Sequence, residues 1–502
     1  MAQGVLPFHY EQEQATEQGI TALGGLGIFL DLINRSGLYH RGSGHFFPRG
    51  GGQGFTDGQM LESLILLNLA GGECVDDIEL LEKDGGLCRL YRKAEAHGRS
   101  RRERESLCAR FRRGRERTFP APSSIFRWLS TFHEPEQEKL RLAGRAFVPA
   151  PNPRLKALPS INAGLVAFAQ ANAPQALATL DMDATLLETD KRDALFCYQG
   201  FKSYQPLNVY WAEHELMLHS EFRDGNVPAG FDNLRVLREA LALLPPGVEK
   251  VRFRADSASY QHELLSYLDD GRDPRFGRIE FAVSADVTPD FKAAAGQAQP
   301  WRPLPARESG APTRREWAEV CFVPHGISHK KWGREYRYLA IREPLRQPAL
   351  PGMEGQLELP FPTMTFDGET YKVRALVTNM DREGEALIAW SNLRCGKSEH
   401  AHSIIKNDLA GGRMPSADFG ENATWWMVAV MASNLFVIMK RLALGEGWSK
   451  RRMKAVRFHV ISLPARVVNG SRRLKIKLCR GHPSLAALLR ARTMIAALAP
   501  AA

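Results

Sequence analysis

A chain of 502 residues, 44% hydrophobic and 25% charged, has material for about two to four domains with ordinary cores; a disordered chain or a small stapled scaffold is excluded. Its 67 Lys and Arg against 56 acidic residues give a formal charge of +11, which points to a polyanionic partner, nucleic acid or an anionic membrane surface. The seven cysteines are odd in number and lack a C-x-x-C pair, so they read as reduced thiols and not as a disulfide framework or zinc knuckle.

No basic start followed by an apolar stretch marks a signal peptide at the N-terminus. The longest apolar run, 423–439, is interrupted by Thr424, Ser433 and Asn434 and falls short of the ~20 residues of a membrane span. A buried helix, a cytoplasmic location and no membrane partner are the expectations.

In chain order, residues 1–150 read as helical, with apolar side chains at helical spacing in 60–69 and 75–81. The glycines Gly50, Gly51, Gly52 and Gly54 are punctuation; without Lys-Ser/Thr or a framing strand they do not make a phosphate loop. From Arg92 to Arg117, eleven Lys/Arg and four Glu with almost no large apolar residues predict a solvated linker or arm. Pro120-Ala-Pro-Ser-Ser then opens an amphipathic helix around 125–129, capped by Ser123 or Ser124. Such a helix is either a core element or a DNA-reading helix.

Beyond residue 176 the period changes to that of strands. Strands are predicted at 176–186, 206–212, 215–222, 251–255 and 279–284, with helices at 232–244 and 260–268. Three strands, helix, strand, helix, strand is the opening order of a ribonuclease-H-like fold. Residues 297–377 are Pro-rich and strand-like (319–323, 336–341, 371–376), which predicts a β-rich insertion. Helical character returns from Gly396. The tail from Lys440 to Arg480 holds thirteen Lys/Arg and only Glu446 as an acid, a charge of +12 against +11 for the whole chain. Phosphate contact is expected there, with Arg472, Arg473, Lys475 and Lys477 as candidates.

The expected fold is thus α/β: a ribonuclease-H-like core in two parts (170–290 and 385–440) interrupted by a β-rich insertion (297–380). A helical region suited to binding DNA ends (1–150) and a basic helical C-terminal region (441–502) flank it.

Phosphodiester cleavage and transfer need a nucleophilic oxygen, a stabilised leaving oxygen and charge compensation at phosphorus, which two metal ions held by hard oxygen ligands supply. Three acidic segments qualify. In Thr179-Leu-Asp-Met-Asp-Ala-Thr185 the two aspartates share one strand face, so alternation alone cannot choose between Asp181 and Asp183. Asp256 ends the strand at 251–255, where an Asp is either a helix N-cap or a ligand at the carboxyl edge of a sheet. Glu399 and Lys406 lie seven apart, two turns along one helical face. His400 and His402 point to different faces and read as surface or DNA-contacting residues.

With these segments in this order, the chain resembles the DDE transposases of bacterial insertion sequences, in the branch with a β-rich insertion between the second Asp and the Glu. The resemblance runs from about residue 20 to 480 and is carried by Leu180-Asp-Met-Asp-Ala-Thr185, Arg254-Ala-Asp-Ser257, and Arg394-Cys-Gly-Lys-Ser-Glu399 followed by Asp408-Leu-Ala-Gly-Gly-Arg-Met-Pro-Ser416. Its Asp-x-Thr pattern selects Asp183, leaving Asp181 as the alternate. The signature Y-x2-R-x3-E-x6-K fits Glu399 and Lys406, while Cys395 stands in the Arg place, Arg394 lies one residue early and Asn392 replaces Tyr. The resemblance implies Mg²⁺ or Mn²⁺ held by Asp183, Asp256 and Glu399, with Arg394 and Lys406 gripping phosphates. It also implies cleavage at terminal inverted repeats and joining to target DNA, by a homodimer or higher multimer on double-stranded DNA. A transposase-derived DNA-binding protein without chemistry, and a nuclease that cuts without joining, are the alternatives.

Overall fold

The computed structural model describes residues 19–38, 40, 53–112, 114–142, 144–305, 313–324, 336–345, 361–366, 368–470 and 473–501. The chain divides into two compact units: unit I comprises 1–138, 150–172 and 404–502, and unit II comprises 139–149 and 173–403.

Among the described residues, unit II is organised on a mixed sheet of ten strands. In chain order these are β1 (Leu177–Ala184), β2 (Leu207–Trp211), β3 (Leu216–Glu221), β4 (Lys250–Ala255), β5 (Glu280–Ala285), β6 (Arg302–Pro303), β7 (Glu316–Val320), β8 (Arg337–Pro344), β9 (Thr363–Phe366) and β10 (Glu369–Thr378). The spatial order is β6-β7-β8-β10-β5-β4-β1-β2-β3, with β9 paired to β10. β1, β2 and β3 form an antiparallel meander, while β4 lies parallel to β1 and β5 parallel to β4. Apolar and aromatic side chains at nearly every position bury β2 throughout, as a strand covered on both faces requires. The strands and helices expected over 176–285 are all present, with ends within two residues.

The β-rich stretch continues this same sheet, because β10 pairs antiparallel with β5. Its first expected strand, 319–323, lies three residues earlier, since Trp317 and Ala318 are the side chains that reach the core. A helix that the sequence pattern conceals, α1 (Gly384–Asn392), packs Leu387 and Ile388 into a core with Trp317, Leu339 and Leu376. Its first residue must be glycine: a Cβ at Gly384 would stand 2.2 Å from the Trp317 ring. Helix α2 (Lys397–Ser403) follows.

Unit I is helical around Phe419–Ile438, every residue of which is buried. This helix is long and apolar enough to cross a membrane by length and composition, yet 89% of its apolar window is packed inside the protein. Asp57–Ala70 and Pro153–Asn172 pack against it, and Asn434 donates to Asn162 at 2.8 Å between two buried amides. Asp57–Ala70 starts from a capping box between Thr56 and Gln59.

Three expectations for this unit change. Residues 92–117 are helical where a linker was expected, in Gly85–Glu95 and Arg101–Ala109, and Arg115 pairs with Glu95 at 2.5 Å and Arg117 with Glu79 at 2.6 Å; the expected solvation holds for Arg101–Ala109, which buries no residue. Charge composition counts the cations but not the carboxylates that fold back onto them. The helix after Pro120 is Pro122–Leu129, capped from Ala121 with Pro at its first position, so neither Ser123 nor Ser124 is the cap. Its Ile125, Trp128 and Leu129 are fully buried, which makes it a core element. Finally, the part of the tail that holds the candidate phosphate contacts is not helical. Ala465–Gly470 and Arg473–Lys477 form an antiparallel hairpin with Ile20–Thr21 on its other edge, because Val467, Leu474 and Ile476 alternate with polar and charged residues at period two.

Candidate functional site

The parallel register of β1 and β4 pairs Asp181 with Arg254 and Met182 with Ala255. Asp183 and Asp256 follow at the carboxyl ends of these adjacent strands, the edge at which open α/β sheets collect ligands. Asp256 leaves its strand into a short turn, and its Oδ1 accepts from the Ala258 N–H at 3.1 Å. The N-cap reading of Asp256 is therefore correct, and it leaves the carboxylate at the sheet edge.

The two aspartates of β1 differ in their partners. Asp181 is fully buried, and both of its oxygens accept from Arg254, at 2.6 and 2.8 Å. Asp183 stays partly open, with Arg394 Nη1 lying 3.4 Å from its Oδ2. Burial pushes the Asp183 carboxyl up to about 6; Arg394 opposes the rise, while the negative charges of Asp256 and Glu399 add to it. The acids at the end of β4 and on α2 thus both act on the Asp183 carboxyl of β1, within unit II.

Glu399 is exposed in the first turn of α2. Arg394, from the link between α1 and α2, faces Asp183, where the resemblance had implied a phosphate. His400 is exposed, but His402 is not a surface residue: it is 5% exposed, its Nε2 has no hydrogen-bond partner, and burial aided by the Arg394 charge lowers its pKa to about 4. Helical spacing alone made both imidazoles look solvated and hid this burial. Sequence reasoning also missed Arg254, although the signal was present: a buried-strand Asp and an Arg each lie two residues before a candidate carboxylate on paired strands.

Lys406 belongs to unit I, in the π-helical turn Ile404–Asp408, so the α-helical period that put it in line with Glu399 ends before it. Unit I also carries the basic hairpin. Its register sets Arg466 opposite Lys477, Val468 opposite Lys475 and Gly470 opposite Arg473, so four exposed cations share one face. Arg472 lies outside the described residues. Like charges directly across a strand pair repel, and an anion relieves that repulsion.

Among the described residues, no three His, Cys, Asp or Glu side chains close on one point as a formed metal cage. The donor chemistry nevertheless suits a hard divalent cation: Asp183, Asp256 and Glu399 are oxygen donors of one sign, and the ion pair that opposes their charge at Asp183 is as long as 3.4 Å.

Two acids at the carboxyl edge of a mixed sheet, one of them raised by burial, are what the resemblance to DDE transposases leads one to expect. The chain matches the family described as Transposase DDE domain group 1 over residues 12–298 and 364–500, and it belongs to that family. No curated protein matches it. Among solved structures it is similar to a piggyBac transposase synaptic complex with hairpin DNA, at 11% identity and a TM-score of 0.41, covering 84% of this chain and 77% of that one.

Proposed function

We propose that this transposase cleaves the ends of a bacterial insertion sequence and joins them to target DNA, with Asp183, Asp256 and Glu399 as its catalytic carboxylates. The observation that carries the reading is the parallel register that brings Asp183 and Asp256 to the carboxyl ends of β1 and β4, with the charges of Asp256 and Glu399 both acting on Asp183. Strand order β3-β2-β1-β4-β5, with an antiparallel meander and two parallel additions, supports a ribonuclease-H-like core.

Asp183 and Asp256 would hold Mg²⁺ or Mn²⁺, with Glu399 completing the set. When bound, the metal polarises the attacking oxygen and offsets charge on the leaving one. Arg394 lies 3.4 Å from only one Asp183 oxygen, so its guanidinium can also serve a DNA phosphate. Asp181 takes no part in ligation, because Arg254 occupies both of its oxygens. The basic face of the hairpin contacts the backbone of double-stranded DNA, and the protein works as a dimer or higher multimer on its terminal repeats, in the cytoplasm.

Asp183→Ala, Asp256→Ala and Glu399→Ala are each expected to abolish Mg²⁺-dependent nicking of end-bearing DNA while leaving end binding nearly intact. Loss of activity in Asp181→Ala with full activity in Asp183→Ala would move the assignment two residues upstream. Undiminished cleavage in excess chelator would remove the metal from the reading. A strand-transfer product separates this function from a nuclease that only cuts.

A further inference from the structure

Arg254 joins β1, β4 and the end of α1, the helix that precedes the one carrying Glu399. Its Nε and Nη2 donate to Asp181 at 2.6 and 2.8 Å, its Nη1 donates to the Trp390 carbonyl at 2.7 Å, and its guanidinium lies over the Trp390 ring at 5.0 Å. Asp181 lies two residues before Asp183 on β1, and Arg254 two before Asp256 on β4. Trp390, near the end of α1, lies four before Arg394 and nine before Glu399. All of these groups belong to unit II.

Arg254 is 2% exposed and Asp181 fully buried. Desolvation offsets most of the attraction in such a pair, so it is a poor source of stability. What a buried guanidinium fork supplies is geometry, since its planar donors match a carboxylate in few orientations. The beginning of α1 is already fixed by the contact of Gly384 with Trp317. Arg254 fixes its end, from which the chain runs to Arg394 and Glu399.

We propose that Arg254 is a positioning residue that, through Asp181 and Trp390, sets the Glu399 segment in register with Asp183 and Asp256. The proposal rests on the reading of those three acids as the catalytic set.

The test uses the full-length chain, a DNA duplex bearing its element end, and two variants, Arg254→Lys and the double Asp181→Leu/Arg254→Met. Apolar side chains of similar volume in place of a buried ion pair are neutral or stabilising, so the double variant should melt no lower than the parent. Cleavage should nevertheless fall about 10–100-fold in both variants, with more Mg²⁺ needed for half-maximal rate and unchanged end binding. Hydrogen exchange gives a readout independent of activity: amides of residues 391–403 should exchange faster in both variants, and those of β1 and β4 at the parental rate. Parental exchange over 391–403 in the folded variants overturns the proposal whatever the activity. So does unfolding of both variants, which would make Arg254 a stability residue. If the parent chain cleaves no DNA with any divalent metal while 391–403 loosens as expected, the positioning role stands and the catalytic reading falls.

Discussion

At the scale of single residues, Asp183 links the electrostatics of the fold to pH. Its carboxyl titrates at about 6 in the folded chain, above the usual range, because burial and two acidic neighbours disfavour the charge. A carboxyl raised on folding destabilises the native state above its folded pKa and does not below its unfolded value of about 4. Asp183→Asn should therefore stabilise the protein by about 1–3 kcal/mol at pH 8, and the gain should vanish near pH 3.5. Chemical denaturation at the two pH values checks this; equal stabilisation at both would show that charge is not the cause. Cleavage should fall as the pH drops through about 6, and saturating Mg²⁺ should carry that midpoint lower, since cation binding competes with the proton. The choice between Asp181 and Asp183 was not legible from strand alternation, which puts both on one face. The Asp-x-Thr pattern of the resemblance selects Asp183, and Arg254 on both oxygens of Asp181 favours the same choice.

Among elements, those whose side-chain period matched their burial were readable. β1 to β5 lie where alternation and apolar runs place them, because both faces of the sheet are covered. α1 was hidden because its glycine start and polar Ser391-Asn392 end imitate a loop, while its burial depends on Trp317, more than sixty residues earlier. The tail shows the same limit, since thirteen cations dominate its composition and obscure the alternation of Val467, Leu474 and Ile476. Replacing Arg466, Arg473, Lys475 and Lys477 with Gln should weaken binding to end and random DNA alike. The slope of log affinity against log salt should flatten by about two to four units, at roughly 0.9 for each phosphate no longer neutralised. An unchanged slope would mean that the hairpin face is merely solvated. Helix pairing in unit I can be tested in the same way. Asn434→Leu removes a buried donor to Asn162 and should cost about 1–3 kcal/mol in a denaturant titration.

For the whole molecule, the assignment of chain to units is the feature that a residue-by-residue reading could not supply. Unit I draws on 1–138, 150–172 and 404–502, whereas unit II is nearly one continuous stretch. A fragment of residues 173–403 is expected to unfold cooperatively on its own, and a fragment of residues 1–172, lacking the helix Phe419–Ile438, is not. A sharp melting transition in the shorter fragment would count against this division. The same connectivity sets a schedule for synthesis. The apolar helix Asp57–Ala70 emerges about 350 residues before the helix that buries it, and at roughly 5–20 residues per second it waits about 20–70 s. During that interval its apolar face is without the helix that covers it, a condition that favours self-association. A stop codon just after Ser403 would spare all three carboxylates and yet leave the N-terminal helices permanently without their core, so in genetic terms a late truncation should be as null as an early one.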